Sequence, residues 1–96
     1  MFVKWRKHSR ERFAQRMAQF GINYGDIEFE IKRQEVKFFL GGKKFKTIFK
    51  IGNLFITAIK VESPEMIFVL TLWESSEKEV FEWNKMIVQF ADQNRS

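Results

Sequence analysis

Three side chains spaced four residues apart near the start of the chain have the types that cleavage of RNA requires: His8, Arg12 and Arg16. RNA carries its own nucleophile in the 2′-hydroxyl, so an enzyme needs only to orient it, move protons and neutralise the phosphate. Histidine exchanges protons most readily near neutral pH, and a guanidinium binds phosphate through a planar fork. We therefore predict His8 as the proton-transfer group and Arg12 and Arg16 as phosphate ligands. The alternative is a solvated helix face.

A second group of cations is interleaved with phenylalanines between residues 37 and 50. Lysines on phosphates and rings under bases are typical of proteins that bind single-stranded nucleic acid. In the alternative interpretation, the rings form the core and the lysines protect an exposed edge strand. The predicted nucleic-acid-binding residues are Lys43, Lys44, Lys46 and Lys50.

The two cationic groups require two different elements to position them. Residues 4–20 lack Gly and Pro, and Phe13, Met17 and Phe20 share one helical face, so a helix is predicted here, ending at Gly21. The arginines can assist the lysines only if their edge of this helix faces the lysine-rich hairpin.

Four apolar segments with a turn signal at each join occupy residues 35–74. The joins are Gly41-Gly42, Gly52-Asn53 and residues 62–65, and joins this short force neighbouring strands to be antiparallel. A four-stranded antiparallel meander is predicted. Its last two segments are apolar on both sides, so both sides should be covered, or one should meet another chain.

Residues 22–34 carry signals for both a helix and a strand. Asn23 and Asp26 have the spacing of a capping box, which favours a short helix. Residues 26–32 also alternate between apolar and charged side chains, so an additional strand there is the alternative.

The last segment begins with a capping box at Ser76 and Glu79 and continues as an amphipathic helix. Its core-facing residues are predicted to be Val80, Trp83, Ile87 and Phe90. Phe81 and Val88 lie on another side, and this surplus apolar surface predicts a homodimer through the C-terminal helix. The predicted fold is α+β, with two N-terminal helices, the meander and a C-terminal helix in one domain, residues 1–96.

Composition narrows the classes of function. The chain has no cysteine and one histidine, so we expect neither a metal site nor a cofactor. Residues 1–60 carry 14 Lys and Arg against 5 Asp and Glu, and this basic excess favours a nucleic-acid partner. The sequence shows neither a secretory signal nor a membrane-spanning run, which makes the cytoplasm the expected location without a membrane partner.

The segment HSRERFAQRMAQFGINYGDIEFEIK, followed by the meander, resembles an uncharacterised family of small toxin-like domains. That family is similar to the RelE and BrnT ribonuclease toxins of the barnase–EndoU–colicin–RelE group. Its motifs are His-x-x-x-Arg, a later Arg-Gly-Ile, and Asp-Ile or Glu-Ile in a second helix. Gly21-Ile22 and Asp26-Ile27 match the later motifs. The first motif fits either as His8 with Arg12, or in a register that puts Arg12 at the histidine position.

The resemblance covers roughly residues 8–73 and implies a metal-independent ribonuclease toxin that binds RNA and is neutralised by an antitoxin protein. Two other functions are kept as alternatives, and whether the chain is an enzyme is left open. One is a non-catalytic nucleic-acid-binding or inhibitor module from a mobile element. The other is a structural homodimeric interaction protein.

Overall fold

The computed structural model describes residues 2–33 and 36–93. A short strand comes first, two helical segments follow, then four strands, and a long helix ends the described chain. The strands are β1 (Phe2–Trp5), β2 (Lys37–Gly41), β3 (Lys44–Ile51), β4 (Leu54–Glu62) and β5 (Met66–Glu74). The helices are α1 (Lys7–Arg16), α2 (Tyr24–Arg33) and α3 (Glu77–Gln93), with a 3₁₀ turn at Ala18–Phe20.

The predicted meander over β2–β5 is confirmed, but it belongs to a mixed sheet of five strands in the order β1-β5-β4-β3-β2. β1 pairs in parallel with β5, with Val3 opposite Ile67 and Trp5 opposite Val69. The prediction that a helix begins at Lys4 was therefore wrong. The four-residue strand owes its position to a partner more than sixty residues away along the chain.

The predicted pair of N-terminal helices is found in part, as one helical region broken by the 3₁₀ turn. Gly21 ends that turn with φ 75°, a left-handed conformation that glycine adopts without strain. The capping box is present, since the Asp26 amide donates to Asn23 Oδ1 at 2.9 Å and the Asn23 amide donates to Asp26 Oδ2 at 3.0 Å. These bonds start α2.

The alternative strand over residues 26–32 is wrong, and burial shows the difference. Ile27 and Ile31 are fully buried, whereas Phe29, which strand alternation would place beside them, is 63% exposed. A helix puts positions 27 and 31 on one face and turns position 29 away from it.

The sheet has a helical layer on each side. α1 and α2 cover one face, here called the α1–α2 face, and α3 packs on the other, here called the α3 face. The main core lies on the α1–α2 face and includes Phe13, Met17, Ile27, Ile56 and Val69. β4 and β5 are thus covered along the α1–α2 face, whereas on the other side α3 covers the end that carries Phe55. The predicted cover on both sides is therefore found in part.

The start of α3 is fixed by the predicted capping box. The Ser76 amide donates to Glu79 Oε1 at 2.9 Å, the Glu79 amide donates to Ser76 Oγ at 3.2 Å, and the Trp73 indole donates to the same carboxylate oxygen at 2.9 Å. Burial by itself would raise the pKa of Glu79, but these hydrogen bonds outweigh it and hold the pKa below its ordinary value. The predicted core residue Phe90 has a side chain outside the described part.

In the described part of the chain, no helix has both the length and the hydropathy needed to cross a bilayer.

Candidate nucleic-acid interface

The pleat of the sheet sorts the strand lysines by face. Lys44, Lys46 and Lys50 alternate along β3, so all three side chains lie on the α3 face. Lys4 of β1 joins them, because it pairs with Phe68, which pairs with Val61, which pairs with Lys44. Among the described strands, the α3 face therefore carries four lysines.

The acidic residues of the strands lie on the other face. Glu62 pairs with Ile67 and Glu74 pairs with Ile56, and both isoleucines are buried in the core beneath α1 and α2. Within the described strands, no carboxylate neutralises the lysines of the α3 face. Segregation of one sign of charge onto one sheet surface creates a local positive potential.

One row of cross-strand neighbours on this face combines two lysines with two apolar side chains. Lys4, Phe68, Val61 and Lys44 stand side by side on four adjacent strands, so the two lysines are separated by three strand spacings, about 14 Å. Phe38 and Lys46 stand in the next row of the same face. We call these six residues the platform: Lys4, Phe38, Lys44, Lys46, Val61 and Phe68.

Two aromatic rings of this face form cation–π contacts with lysine ammonium groups. The Nζ of Lys4 lies 5.5 Å from the Phe68 ring centroid, and the Nζ of Lys46 lies 5.2 Å from that of Phe38. Contacts of this kind contribute about 0.5–1 kcal/mol each at exposed sites. They leave Lys4 exposed and the rings half-buried, so a flat ligand and an anionic one can both reach the platform.

α3 covers the other end of the face. Trp83 meets Phe55 edge-on with ring centroids 5.1 Å apart, and Glu82 lies 3.7 Å from the Nζ of Lys46. Lys50 lies at this covered end, with its Nζ 5.4 Å from the Phe55 ring centroid, and its side chain stays exposed. The open, unneutralised part of the face is the end that carries Lys4 and Lys44.

Of the predicted binding residues, the structure brings together Lys44, Lys46 and Lys50 on one face. Lys43 lies in the β2–β3 turn and is exposed. Sequence reasoning missed Lys4 and Phe68, since it placed Lys4 in a helix and gave Phe68 no role beyond its place in a segment that is apolar on both sides. The signal for Lys4 is the alternation of FVKW, in which Val3 and Trp5 are buried and Lys4 is exposed.

The predicted catalytic residues lie on α1, away from the platform. His8 and Arg16 are exposed, and Arg12 is half-buried. Each of the three directly precedes a residue of the buried stripe that consists of Ser9, Phe13 and Met17. α1 packs along β5, and β4 separates β5 from the lysines of β3. The three side chains share one edge of α1, as predicted, but the structure places that edge two strands away from the hairpin lysines.

A different lysine is buried on the α1–α2 face. Lys60 is fully buried, and its ammonium donates to the Ile31 carbonyl near the end of α2 at 3.0 Å and lies 2.8 Å from Glu62 Oε2. Lys37 contacts the same carboxylate at 3.3 Å. Burial lowers the pKa of Lys60, although Glu62 opposes the shift. The hydrogen bonds from Lys60 and Lys37 lower the pKa of Glu62 against the effect of its own burial. This cluster joins α2 to the sheet.

Residues 2–33 and 36–93 contain no group of three His, Cys, Asp or Glu side chains arranged to hold a metal ion. Comparisons of the chain with protein-family models, with curated proteins and with solved structures found no match. The residues of the platform therefore have to carry any functional assignment.

Proposed function

We propose that this protein binds single-stranded RNA on the α3 face of its sheet, through the platform. The observation that carries the proposal is the row Lys4–Phe68–Val61–Lys44, in which an aromatic and an aliphatic side chain stand between two exposed lysines. Single strands are bound by this combination, since the lysines contact phosphates and the rings stack on bases.

Charge supports the proposal. Lys46 lies near Glu82 of α3, but Lys4 and Lys44 form no ion pair with a described residue, whereas Lys37 and Lys60 on the opposite face share Glu62. A lysine that is buried and paired contributes to the stability of the fold. An exposed and unpaired row contributes little to folding, and it can contribute to the binding of an anionic ligand. Counterions released from the nucleic acid would supply most of the binding free energy.

The test is fluorescence anisotropy with a labelled single-stranded RNA of mixed sequence. The double variant Lys4→Gln/Lys44→Gln is expected to weaken binding about tenfold, because it removes two phosphate contacts. Phe68→Leu should weaken binding by a smaller factor, since it removes one stacking surface and keeps the charge.

The matched control is Lys78→Gln/Lys85→Gln, which removes the same charge from exposed positions on α3. This control should bind RNA like the unmodified protein. Equal weakening by both double variants would show that only net charge matters, and the platform would be the wrong surface. Absence of RNA binding by the unmodified protein at low salt would also overturn the proposal.

Ribonuclease activity at His8, Arg12 and Arg16, with an antitoxin as partner, stays a prediction of the sequence. It is tested with the same RNA by gel electrophoresis in EDTA. Cleavage that is lost in Arg12→Ala/Arg16→Ala and kept in Lys78→Gln/Lys85→Gln would support it. RNA that binds and stays intact at high protein concentration would leave a binding module without catalysis.

A second candidate function is assembly of two copies through α3. Phe81 is 69% exposed and Val88 is 59% exposed on this helix, as the predicted homodimer requires. Sedimentation of the unmodified protein should then show a dimer that Phe81→Glu converts to a monomer. A monomer at high micromolar concentration would contradict it.

A further inference from the structure

The outer edge of β1 presents backbone hydrogen-bonding groups that no described residue pairs with. The amides of Phe2 and Arg6 donate to the Glu65 and Val69 carbonyls on the β5 side, at 3.4 and 3.3 Å. Successive residues of a strand point their backbone groups to opposite sides, so those of Val3 and Trp5 point outward. Among the described residues, β1 is the last strand of the sheet on this side. A free edge of this kind is a template for another strand.

Side-chain contacts anchor β1 to the rest of the fold. The side chains of Val3 and Trp5 are each only 8% exposed, and the Trp5 indole donates to Glu28 Oε1 at 2.8 Å. The Trp5 ring also meets the Tyr24 ring edge-on, with centroids 4.9 Å apart. A strand that is already ordered loses little conformational entropy when it accepts a partner.

A groove of about 720 Å³ runs along this edge. Its walls include Trp5 of β1, Arg10 of α1, and Glu28 and Lys32 of α2. Arg10 and Lys32 are exposed, and neither forms an ion pair with any described residue. The one carboxylate, Glu28, already accepts the indole hydrogen bond. With Lys4, which also lines the groove, three cations stand against one carboxylate, so the groove has a net positive wall beside the strand edge.

The positive charge beside the β1 edge indicates which kind of partner can bind there. If β1 of a second copy paired antiparallel with this edge, with Val3 opposite Trp5, the two Lys4 side chains would stand directly opposite each other. Like charges in this position across strands are destabilising. RNA would satisfy the cations but would not use the outward backbone groups as a strand does. A strand with acidic side chains satisfies both.

We propose that the edge of β1 binds an extended, acidic segment of a partner protein, which joins the sheet as an additional strand. Alternate side chains of the segment would point between Arg10 and Lys32 and should be acidic. The others would lie beside Phe2, which is 65% exposed, and should be apolar. Main-chain hydrogen bonds supply affinity in this mode of recognition, and the alternate side chains supply specificity.

The probe is a short fluorescent peptide of alternating glutamate and valine, followed by anisotropy. It should bind the unmodified protein, and a lysine–valine peptide of equal length should not. Methylation of alternate backbone nitrogens, which keeps the side chains and removes the donors, should abolish binding. Failure of the glutamate–valine peptide to bind at millimolar concentration would overturn the proposal, and so would undiminished binding of the methylated peptide.

Three variants locate the site. Arg10→Glu/Lys32→Glu should weaken peptide binding about tenfold or more, because it places like charges opposite the peptide. Val3→Pro removes one outward donor and keeps the bonds of Phe2 and Arg6 to β5, a placement that edge strands tolerate, and it should also weaken binding. Lys78→Glu/Lys85→Glu changes charge equally at exposed positions of α3, away from this edge and outside the platform, and should leave peptide binding unchanged.

If both charge-reversal variants weakened peptide binding equally, the net charge of the protein would account for the binding, and the proposal would be overturned. Should Val3→Pro fail to fold, the charge-reversal variants and the methylated peptide still decide. Lys4 lines both the groove and the platform, so the variants are placed at Arg10 and Lys32, which lie outside the platform. Peptide binding is measured without RNA, and its outcome therefore does not depend on the RNA proposal.

Discussion

The two faces of the sheet treat their lysines in opposite ways. On the α1–α2 face, Lys60 is fully buried and shares Glu62 with Lys37. On the α3 face, Lys4 and Lys44 are exposed and stand in a row without a strand carboxylate. The same residue type is thus part of the architecture on one side and available to a ligand on the other.

Burial and pairing separate structural from functional charges in a basic protein. A charge that is removed from water must be paired, and loss of one partner is costly because the other is left buried. An exposed charge contributes little to folding, so its position is free to serve binding. The comparison therefore predicts large stability effects on one face and small ones on the other.

Substitution of Lys60 should destabilise the fold more than any other change considered. We expect Lys60→Ala to lower the free energy of unfolding by about 3 kcal/mol, since it leaves the Ile31 carbonyl without its donor and opens space in the core. Urea denaturation measures this loss. Lys46→Ala, which removes an ion pair with the partly exposed Glu82, should cost under about 1 kcal/mol. Equal losses would remove the distinction between the faces.

The next effect concerns Glu79, the buried carboxylate at the start of α3. Glu79→Gln should lower the free energy of unfolding by about 1 kcal/mol at neutral pH, because it weakens the capping box. The pKa of Glu79 is lower folded than unfolded, so its stabilisation is complete above the ordinary value of 4.5 and is lost as the pH falls through the folded value. The difference between the two proteins should shrink in acid. A difference independent of pH would contradict the assignment.

The smallest effect on stability is expected at the platform. Lys4→Gln/Lys44→Gln should change the free energy of unfolding by less than about 0.5 kcal/mol, as surface substitutions usually do. Thermal unfolding followed by circular dichroism provides the measurement. A loss of unfolding free energy as large as that of Lys60→Ala would show that Lys4 and Lys44 stabilise the fold and are not merely available for binding.

Sequence reasoning found the elements whose signals are local. Turns at Gly41-Gly42 and Gly52-Asn53 define the meander, and capping boxes define the starts of α2 and α3. Each of these signals lies within a few residues of the structure it specifies, so no tertiary contact is needed to recognise it.

The elements that were missed depend on distant contacts. β1 is a strand because it pairs with β5, and nothing within residues 2–5 specifies that partner. The same pairing places α1 beside β5 and Lys4 beside Phe68. Both the position of the His8–Arg12–Arg16 edge and the membership of the platform follow from it, which is why the sequence alone placed neither.

The salt dependence of RNA binding shows whether Lys4 and Lys44 contact the phosphates of a bound strand. If Lys4 and Lys44 contact phosphates, the slope of log Kd against log salt should become less steep by about 1.4 in Lys4→Gln/Lys44→Gln, since each contact to a single strand contributes about 0.7. Lys78→Gln/Lys85→Gln should keep the slope of the unmodified protein. Identical slopes for all three proteins would contradict the assignment of RNA binding to this row of side chains.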